Sequence, residues 1–373
     1  MKEVLNILFN DFTNDNRVLK ESRSLQKNGY KVHLLATHFE KELPQEEEIS
    51  GFKVTRFNVG RLKILPLNLI LFWLKGVFVY KKEDIIHAND LYALPPAVFI
   101  KKFINNRLKI VYDCHEHETE AQIYAGKPML KMFARISERM MINSADKIIT
   151  VSESIAKDYI KMYEVEEPSL VMNCPYYEEF KGKDLFREEL DIDKEKILFL
   201  YQGKYQKGRG LNNLIRIFEE LGKENKRLVL VLLVFGENIE ELRERIKGID
   251  NIYWHDKVSP DIYMNYVASA DWGVHFMENT CKNHDYAMPN KLFDYFMGGL
   301  PVIVSDLKEM SNFVRKHSVG YVVNLEEAGS AIEILKSISK EEKEKFINSV
   351  RKVAKEYTWE QQEKVLLKIY NSL

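Results

Sequence analysis

The sequence predicts an α/β fold of two doubly wound, Rossmann-like domains that face one cleft. Three observations support this prediction. Short apolar runs alternate with amphipathic helical patterns along both halves of the chain. A charged stretch at 178–196 interrupts the alternation, which restarts at Ile197. A length of 373 residues is large for one hydrophobic core and ordinary for two.

The domain boundaries follow from that interruption. We expect an N-terminal domain over 1–174 and a C-terminal domain over 175–357. The run Thr358-Trp-Glu-Gln is a capping box that begins a terminal helix. This helix, within 358–373, is expected to cross back onto the first domain.

The first half opens with a βαβ pattern in which Gly29 ends the first helix. Ser152 is a suitable cap for the last helix of this half. In order, we predict strand 4–9, helix 17–28, strands 31–36 and 52–57, helix 67–80, strand 85–86, helix 92–103, strand 109–112, helix 129–143, strand 146–151 and a helix from 153.

The second half repeats the alternation around a strongly apolar central strand at 228–235. A helix following Pro289 is expected to end at Gly298-Gly299, with both glycines supplying positive φ. In order, we predict strand 197–201, helix 211–221, strands 228–235 and 252–254, helix 263–268, strand 272–276, helix 292–297 and strand 302–304.

Composition excludes several classes of protein. A formal net charge of −1 gives no electrostatic basis for nucleic-acid binding. Cys114, Cys174 and Cys281 are far apart in sequence, which indicates free thiols in a reducing compartment. The N-terminus has too short an apolar run for a signal peptide, so we expect a cytoplasmic protein.

One apolar segment raises the question of a membrane surface. The apolar segment 64–80 contains Lys75 and is too short to span a bilayer, so it is interpreted as a core helix or an interfacial one. Between Lys53 and Lys109, eleven Lys and Arg residues outnumber three acids, and an anionic membrane surface is therefore a possible partner. The helix 129–143 is expected to lie on the sheet through the face that carries Met129, Met132, Phe133, Ile136 and Met140.

The helix after Pro289 is a candidate anion site. Its first N–H groups and its dipole point toward the crevice at the strand ends, and Lys291 adds a positive charge. Asp294 lies one turn after Asn290, where a carboxylate can accept hydrogen bonds from the hydroxyls of a ribose. The alternative is a capped surface helix whose Asp merely favours its N-terminus.

A second candidate phosphate contact is the loop K-Y-Q-K-G-R-G. It follows Gly203, with Lys204 and Arg209 near its two ends. Two cations can bind a diphosphate through charge-assisted hydrogen bonds. The alternative is a solvated basic turn. Gly236 ends the next strand.

Polar residues follow two strands of the first half. The strand at 85–86 leads into His87 and Asp90, and the strand at 109–112 leads into His115, Glu116 and His117. In doubly wound sheets such loops line the ligand crevice. His87 is alternatively a core-edge histidine bonded to a backbone group. The H-E-H-E run also permits a metal interpretation.

The string YAMPNKLFDYFMGGLPVIVSD at 286–306 resembles the donor segment of the retaining GT-B glycosyltransferases called glycosyl transferases group 1. The resemblance runs over nearly the whole chain and is as strong around 199–214, with moderate resemblance around 84–118 and 145–153. It implies that the helix binds a nucleotide-sugar and that Asp294 holds the ribose. Asp294 stands where the family normally has Glu, and Tyr286 stands where many members have a Glu that touches the sugar.

The resemblance also assigns roles. His115 would contact the donor sugar or its leaving diphosphate, with Glu116, His87 and Asp90 near the sugar or acceptor. Lys204 and Arg209 match the family's pair of basic phosphate ligands. The implied donor contacts are Gly203, Lys204, Arg209, Gly236, Tyr286, Pro289, Asn290, Lys291, Leu292 and Asp294.

The function implied is metal-independent transfer of a sugar, with retention, from a nucleotide diphosphate sugar to a saccharide or lipid-linked saccharide. No cofactor is expected. Three alternatives stay open: a metal-dependent hydrolase using His87, Asp90, His115 and His117, a related nucleotide-sugar epimerase, and a catalytically silent nucleotide-binding partner.

Overall fold

The computed structural model describes residues 1–13, 15–59, 65–179, 184–206, 209–237 and 239–373. The chain divides into two compact units. The N-terminal unit comprises Met1–Asn173 and Gln362–Leu373, and the C-terminal unit comprises Cys174–Gln361. The sequence predicted a boundary between residues 174 and 175, and the structure has it between 173 and 174. The sequence also predicted that a helix from 358 would cross back onto the first domain, and residues from Gln362 onward belong to the N-terminal unit.

The N-terminal unit is built on an eight-stranded sheet. Its strands are β1 (Glu3–Ile7), β2 (Lys31–Thr37), β3 (Glu46–Ile49), β4 (Phe52–Phe57), β5 (Ile85–Asn89), β6 (Lys109–Cys114), β7 (Lys147–Thr150) and β8 (Ser169–Leu170). Their order is β3-β4-β2-β1-β5-β6-β7-β8. All pairings are parallel except β3 with β4. Apolar side chains on β1 and β5 are fully buried, as expected for a sheet covered on both faces.

Five helices belong to the first part of this unit: α1 (Asn16–Lys27), α2 (Leu65–Val79), α3 (Asp90–Phe103), α4 (Pro128–Ile142) and α5 (Glu153–Tyr163). The side chain of Asp15 caps α1 by accepting from the Val18 N–H at 3.1 Å. Ser152 caps α5 by accepting from the Ile155 N–H at 3.3 Å, which confirms the predicted cap.

The C-terminal unit contains a six-stranded, all-parallel sheet. Its strands are β9 (Ile197–Lys204), β10 (Leu228–Phe235), β11 (Ile252–His255), β12 (Trp272–His275), β13 (Val302–Ser305) and β14 (Gly320–Val323), in the order β11-β10-β9-β12-β13-β14. Its core lies between this sheet and its helices, around Phe199, Leu230 and Trp272.

The remaining helices are α6 (Leu185–Leu190), α7 (Leu211–Glu224), α8 (Ile239–Ile246), α9 (Tyr263–Val267), α10 (Lys282–Tyr286), α11 (Asn290–Met297), α12 (Lys308–His317), α13 (Ala328–Ser337), α14 (Lys340–Glu356) and α15 (Trp359–Asn371). The end of α15 belongs to the N-terminal unit, where the Asn371 side chain accepts a hydrogen bond from the Tyr30 hydroxyl at 3.2 Å.

Every strand predicted from an apolar run is present, and the parallel, doubly wound character of both sheets confirms the predicted fold class. Strand β3 was not predicted. Three of its four residues are glutamates, a composition that suits an exposed edge strand and hides it from hydrophobic periodicity. Strands β8 and β14 and helices α6, α8, α10 and α12 to α14 were not predicted either.

The end of α11 differs from prediction in one glycine. Only Gly299 adopts positive φ, at 78°, whereas Gly298 has φ of −72°. A Cβ on Gly298 would come within 2.9 Å of Val267 and 3.2 Å of the Ala268 nitrogen. Gly298 is therefore needed for close packing against the end of α9, and Gly299 for the left-handed turn.

The predicted orientation of α4 is wrong. The face carrying Met129, Met132, Phe133, Ile136 and Met140 is 45–71% exposed, and the buried residues of α4 are Glu138 and Ile142. The periodicity correctly identified two faces, but the apolar face is the exposed one, and the fully buried Glu138 lies on the charged face.

Helix α2 also departs from the core-helix interpretation. Its large side chains at Leu67, Ile70, Leu71, Leu74 and Phe78 are 40–82% exposed. The first residue of the predicted segment, Ile64, lies outside the described residues. Among the described residues, no helix combines the length and apolar character that crossing a bilayer requires.

Candidate functional site

The predicted donor contacts of the C-terminal unit lie at the carboxyl ends of β9, β10 and β12 and at the start of α11. Strand β9 pairs with both β10 and β12 in parallel, so these strands end along one edge of the sheet. Gly203 and Lys204 are the last two residues of β9. Lys207 and Gly208 of the basic loop lie outside the described residues.

Lys291 lies across the end of β9. A Cβ on Gly203 would come within 3.3 Å of the Lys291 Nζ, so the ammonium approaches a backbone position that only glycine leaves open. Gly203 itself has φ of 118°. The same Nζ lies 4.4 Å from the centroid of the Tyr201 ring. The structure thus joins two predicted donor residues, Gly203 and Lys291, through one close contact.

The charge of Lys291 is held in an unfavourable environment. Burial, followed by the positive charge of Arg209, lowers the pKa of Lys291 to about 7, although Asp294 opposes the shift. Among the described residues, no carboxylate lies within salt-bridge distance of Lys291, Arg209 or Lys204. These cations are arranged around a position that would accept negative charge.

Asp294 is partly fixed by its neighbour on α9. The Tyr263 hydroxyl donates to Asp294 Oδ2 at 3.0 Å. Burial, followed by the Asp294 charge, raises the pKa of Tyr263 well above its usual value, so the hydroxyl stays a donor. Tyr263 was not among the predicted site residues. Nothing in its own sequence context distinguishes it from other aromatic helix residues.

The start of α11 is as predicted from Pro289, which has extended φ and ψ and precedes the first helical residue, Asn290. The N–H groups of the first turn have no intrahelical acceptor. The side chain of Leu292 is fully buried and its N–H donates to the Pro289 carbonyl at 3.1 Å. Asn290 is exposed.

The basic loop ends at Gly210, which begins α7. Gly210 has φ of 70°, and a Cβ there would lie 1.6 Å from the Phe276 carbonyl oxygen. Glycine is therefore required for the loop to pass the end of β12. The carbonyl of Arg209 accepts a hydrogen bond from the Tyr201 hydroxyl at 3.4 Å. This contact places Arg209 beside the ring over which Lys291 lies.

Gly236 packs against the first residues of the same loop. Its φ is 131°, and a Cβ there would lie 3.4 Å from the Lys204 Cγ and 3.5 Å from the Tyr205 nitrogen. The Lys204 side chain is exposed. Gly236 and Lys204 are therefore neighbours at the ends of β10 and β9, as the parallel pairing of their strands requires.

Tyr286 ends α10 and is flanked by two lysines. Lys282 lies 5.2 Å and Lys308 4.6 Å from the centroid of its ring. The backbone N–H of Lys308 donates to Asp285 Oδ1 at 2.9 Å. The neighbouring loop is anchored by Asn213, whose side chain donates to Glu278 Oε1 at 3.3 Å.

His275, at the end of β12, was missed by the sequence analysis. It is fully buried, and neither ring nitrogen has a hydrogen-bond partner among the residues that the structure describes. Burial, followed by the charges of Lys291 and Arg209, holds its pKa well below the usual value. The rule applied to His87, a polar residue at the end of an apolar strand, would have selected His275 as well.

The N-terminal unit holds a dense charged cluster at the ends of β5 and β6. Arg17 binds Asp113 through both carboxylate oxygens, with its Nη2 at 2.7 Å from Oδ1 and its Nε at 3.1 Å from Oδ2. Arg17 also lies 3.2 Å from Glu21 Oε1. Burial alone would raise the pKa of Asp113, but Arg17 and then His115 hold it well below its usual value.

His115 bridges two carboxylates. Its Nε2 lies 3.2 Å from Asp113 Oδ2, and its Nδ1 lies 3.4 Å from Asp90 Oδ2. Burial by itself would lower the pKa of His115, but Asp90 and Asp113 outweigh it and raise it to about 10. Asp90 adopts a φ of 61° and accepts from the His115 N–H at 2.9 Å. Glu116 is exposed.

His87 is fully buried and bonded to side chains. Its Nδ1 lies 2.7 Å from the Tyr370 hydroxyl of α15, and its Nε2 lies 3.4 Å from Asp113 Oδ2. The interpretation that a backbone group would satisfy it is wrong. Arg17, Glu21 and Asp113 were missed by the sequence analysis, although Asp113 ends an apolar strand as His87 does.

The residues of the hydrolase alternative are brought together only in part: His115 contacts Asp90 and shares Asp113 Oδ2 with His87, whereas His117 is bonded elsewhere. His117 is buried and its Nε2 lies 2.6 Å from Asp158 Oδ2 on α5. In the described part of the chain, one group has the spacing to share a metal ion: Glu21, His87 and Asp113. The Arg17 guanidinium already binds both carboxylates of that group, and its charge opposes a cation there.

Comparison with known proteins gives matches over both units. Residues 16–175 match the family model described as Glycosyltransferase Family 4, and residues 196–340 match the one described as Glycosyl transferases group 1. Together they cover about four fifths of the chain. The sucrose-phosphate synthase of Thermosynechococcus elongatus has a similar fold, with a TM-score of 0.81 over 100% of this chain and 99% of that one, at 14% identity. The chain belongs to the GT-B glycosyltransferases.

Other structures similar to this glycosyltransferase were solved with nucleotides bound. Anabaena Alr3699/HepE in complex with UDP and glucose aligns with a TM-score of 0.73 at 16% identity, covering 100% of both chains. A structure named trehalose-6-phosphate from E. coli, bound with UDP-2-fluoro glucose, aligns at 0.76 and 10% identity, covering 100% of this chain and 99% of that one. A curated relative, an uncharacterized 41.2 kDa protein in the cps region of Klebsiella pneumoniae, is 22% identical over 79% of this chain and 80% of its own.

Proposed function

We propose that this glycosyltransferase moves a hexosyl group from a UDP-sugar to a saccharide or lipid-linked saccharide acceptor, with retention of configuration. One observation carries the donor proposal. Lys291, Arg209 and Lys204 lie around the end of β9 and the start of α11 without a carboxylate partner among the described residues. A diphosphate would supply the missing negative charge.

The choice of uridine is supported by the solved relatives that are named for bound UDP, UDP-glucose or UDP-2-fluoro glucose. Asp294, fixed by Tyr263, is the proposed ribose ligand. Tyr286 and Asn290 are proposed to face the sugar and the phosphates. Retention is supported by the resemblance of 286–306 to the retaining group 1 transferases.

The chemistry that the cations perform is stabilisation of the leaving diphosphate. Charge accumulates on the β-phosphate as the glycosidic bond to the sugar breaks, and positive groups already in place stabilise that charge without reorganisation. Two cations and a helix N-terminus can do this without a metal ion. The departing phosphate oxygen is then proposed to take the proton of the acceptor hydroxyl.

His115 is proposed to contact the sugar. Because Asp90 and Asp113 raise its pKa to about 10, its imidazole is protonated at neutral pH, with its two ring nitrogens facing these carboxylates. Polysaccharide or glycoconjugate synthesis on the cytoplasmic side of a membrane is the proposed setting. The location of the Klebsiella relative in a cps region supports the polysaccharide setting, and the three free thiols support the cytoplasmic side.

The test is a thermal-shift panel of UDP, GDP, ADP and CDP, with and without EDTA, on the wild type and on Asp294→Asn. A ligand at about a hundred times its Kd stabilises by about 2.7 kcal/mol, which raises Tm measurably. We expect UDP to stabilise the wild type, EDTA to have no effect and Asp294→Asn to lose the shift.

The matched control is Asp250→Asn, which removes an exposed carboxylate near the amino end of β11 in the same unit. It should keep the full UDP shift. Stabilisation by none of the four nucleotides, or only in the presence of a divalent metal, would contradict the proposed donor site.

A further inference from the structure

Helix α4 packs with its polar face inward. Glu138 is fully buried and accepts hydrogen bonds from three tyrosines: Tyr112 at 2.7 Å, Tyr159 at 3.0 Å and Tyr163 at 2.5 Å. Lys131 lies 2.5 Å from Glu120. Each contact fixes the rotation of the helix about its axis. The opposite, apolar face is therefore held toward solvent by polar contacts that a rotation would break.

The exposed apolar surface extends over the neighbouring helices. Helix α3 contacts both α2 and α4. Two thirds of the exposed large apolar side chains in the described residues lie on these three helices or at the C-cap of α3. They are Leu67, Ile70, Leu71, Leu74, Phe78, Phe99, Phe103, Ile104, Met129, Leu130, Met132, Phe133, Ile136 and Met140. We call this set the apolar face. Concentration on one set of helices marks an interaction surface, since isolated exposed residues would be spread over the protein.

The exposed charged residues of α2, α3 and α4, including the N-cap of α4, are all basic. The acids of α2, α3 and α4 are Asp90, which is bonded to His115, and Glu138, which is buried. Seven cations lie on these helices or at the N-cap of α4: Lys75, Lys101, Lys102, Lys127, Lys131, Arg135 and Arg139. Four of them pair with acids of other elements: Lys101 with Asp146, Lys131 and Arg135 with Glu120, and Arg139 with Glu164. Lys75, Lys102, Lys127 and Arg139 are exposed.

We propose that the apolar face docks on an anionic phospholipid surface. A helix with large apolar residues on one face and Lys or Arg beside it lies in the plane of a bilayer interface. The apolar side chains enter the acyl boundary, while the cations reach the anionic headgroups. A second copy of the chain fits less well, because a two-fold interface through this face would bring the four exposed cations Lys75, Lys102, Lys127 and Arg139 against the same four.

The proposal is independent of the proposed transfer reaction, because vesicle binding is measured without any nucleotide. The experiment is flotation of the purified chain with vesicles of phosphatidylcholine alone and of phosphatidylcholine with phosphatidylglycerol, at low and high salt. We expect flotation with the phosphatidylglycerol vesicles, weaker flotation with phosphatidylcholine alone, and loss at high salt.

Two variants separate the apolar and the charged contributions. Phe133→Ser with Met140→Ser should weaken binding by at least about tenfold, because both side chains lose burial in the acyl region. Lys102→Gln with Lys127→Gln should weaken binding about fivefold for each lysine removed. The control, Ile160→Ser with Ile262→Ser, changes exposed apolar residues outside the apolar face and should bind as the wild type does.

Three results would overturn the proposal. The first is a wild type that stays unbound with phosphatidylglycerol vesicles at low salt. The second is binding as strong as that of the wild type by the Phe133 and Met140 double variant or by the lysine double variant. The third is a lipid-free dimer, seen by light scattering, that the Phe133 and Met140 substitutions convert to monomer. Should the serine variant not fold, the lysine variant tests the proposal alone.

Discussion

Each unit of this glycosyltransferase has a cluster of charged residues at the carboxyl ends of its strands, and the two clusters differ in how their charges are paired. In the N-terminal unit, Arg17, Asp113 and His115 are buried or nearly so and bind one another. In the C-terminal unit, Lys291 and Arg209 lie together without a carboxylate at salt-bridge distance among the described residues. The charges of the first cluster are paired within the cluster, whereas the cations of the second have no carboxylate partner among the described residues.

The difference indicates what each cluster does. A buried charge network that satisfies itself fixes the positions of its members before any ligand arrives. A set of cations that repel one another is unfavourable in the free protein and becomes favourable when an anion binds. We therefore expect substitutions in the first cluster to lower folding stability, and substitutions in the second to lower donor affinity.

The largest expected effect is that of Asp113→Asn. It leaves the Arg17 guanidinium buried without its bidentate partner and removes one of the two carboxylates that keep His115 charged. Breaking a buried ion pair on one side costs about 3–5 kcal/mol, a large part of a typical domain's stability. Urea unfolding, with hydrogen exchange of α1 and β6, measures the loss.

The control is Glu164→Gln, which removes the partner of Arg139 in an exposed pair of the same unit. Exposed pairs contribute up to about 1 kcal/mol, so this variant should unfold nearly as the wild type does. If Asp113→Asn were no more destabilising than Glu164→Gln, the cluster would not be the self-sufficient network described above.

Lys291→Met should have the opposite effect on folding stability from that of Asp113→Asn. The folded pKa of about 7 lies below the usual value, so the charged lysine lowers folding stability at pH 7 and below. Methionine keeps an apolar chain without the charge, and Tm of the free protein should stay the same or rise. Binding of UDP should weaken by about 1.5–3 kcal/mol, the contribution of a hydrogen bond to a charged group. Calorimetric titration and thermal unfolding measure the two effects.

A matched control lies at the other end of β9. Lys196, just before the strand, has its Nζ 5.7 Å from the Tyr253 ring, much as Lys291 lies over Tyr201. Lys196→Met should leave UDP affinity unchanged. A Lys291→Met variant that lost stability and kept full affinity would reverse the comparison between the two clusters.

The contrast between the clusters could be predicted only in part from the sequence. Apolar runs placed the strands, the strand-end rule selected His87 and His115, and the basic loop with its glycines selected Lys204, because these signals are local. The partner of Asp113 could not be found this way, since Arg17 lies 96 residues away in sequence. Tyr370 of α15 reaches His87 across an even longer separation.

The inverted packing of α4 shows the same limit. Its periodicity defines an apolar and a charged face, but periodicity does not say which face is buried. That choice depends on Tyr112, Tyr159 and Tyr163, which come from β6 and α5 and bind Glu138. Hydrophobicity alone favours the orientation that the structure rejects.

The smallest expected effect is a pH dependence that belongs to the C-terminal cluster alone. Lys291 has a pKa of about 7 in the free protein, and a bound diphosphate should raise it. Binding then takes up a proton above pH 7, so affinity must fall as pH rises. Between pH 6 and pH 8 the affinity for UDP-glucose should fall about tenfold, the equivalent of one pKa unit.

UDP-glucose is the suitable probe because its diphosphate carries no terminal phosphate that titrates near pH 6. The neighbouring histidine does not confuse the measurement, because burial holds the pKa of His275 well below its usual value. Lys291→Arg, which cannot lose its proton in this range, should bind UDP-glucose equally at both pH values. Two results would show that Lys291 is not the group that binds the diphosphate. One is a wild-type affinity that does not change from pH 6 to pH 8, and the other is an arginine variant whose affinity depends on pH as much as that of the wild type.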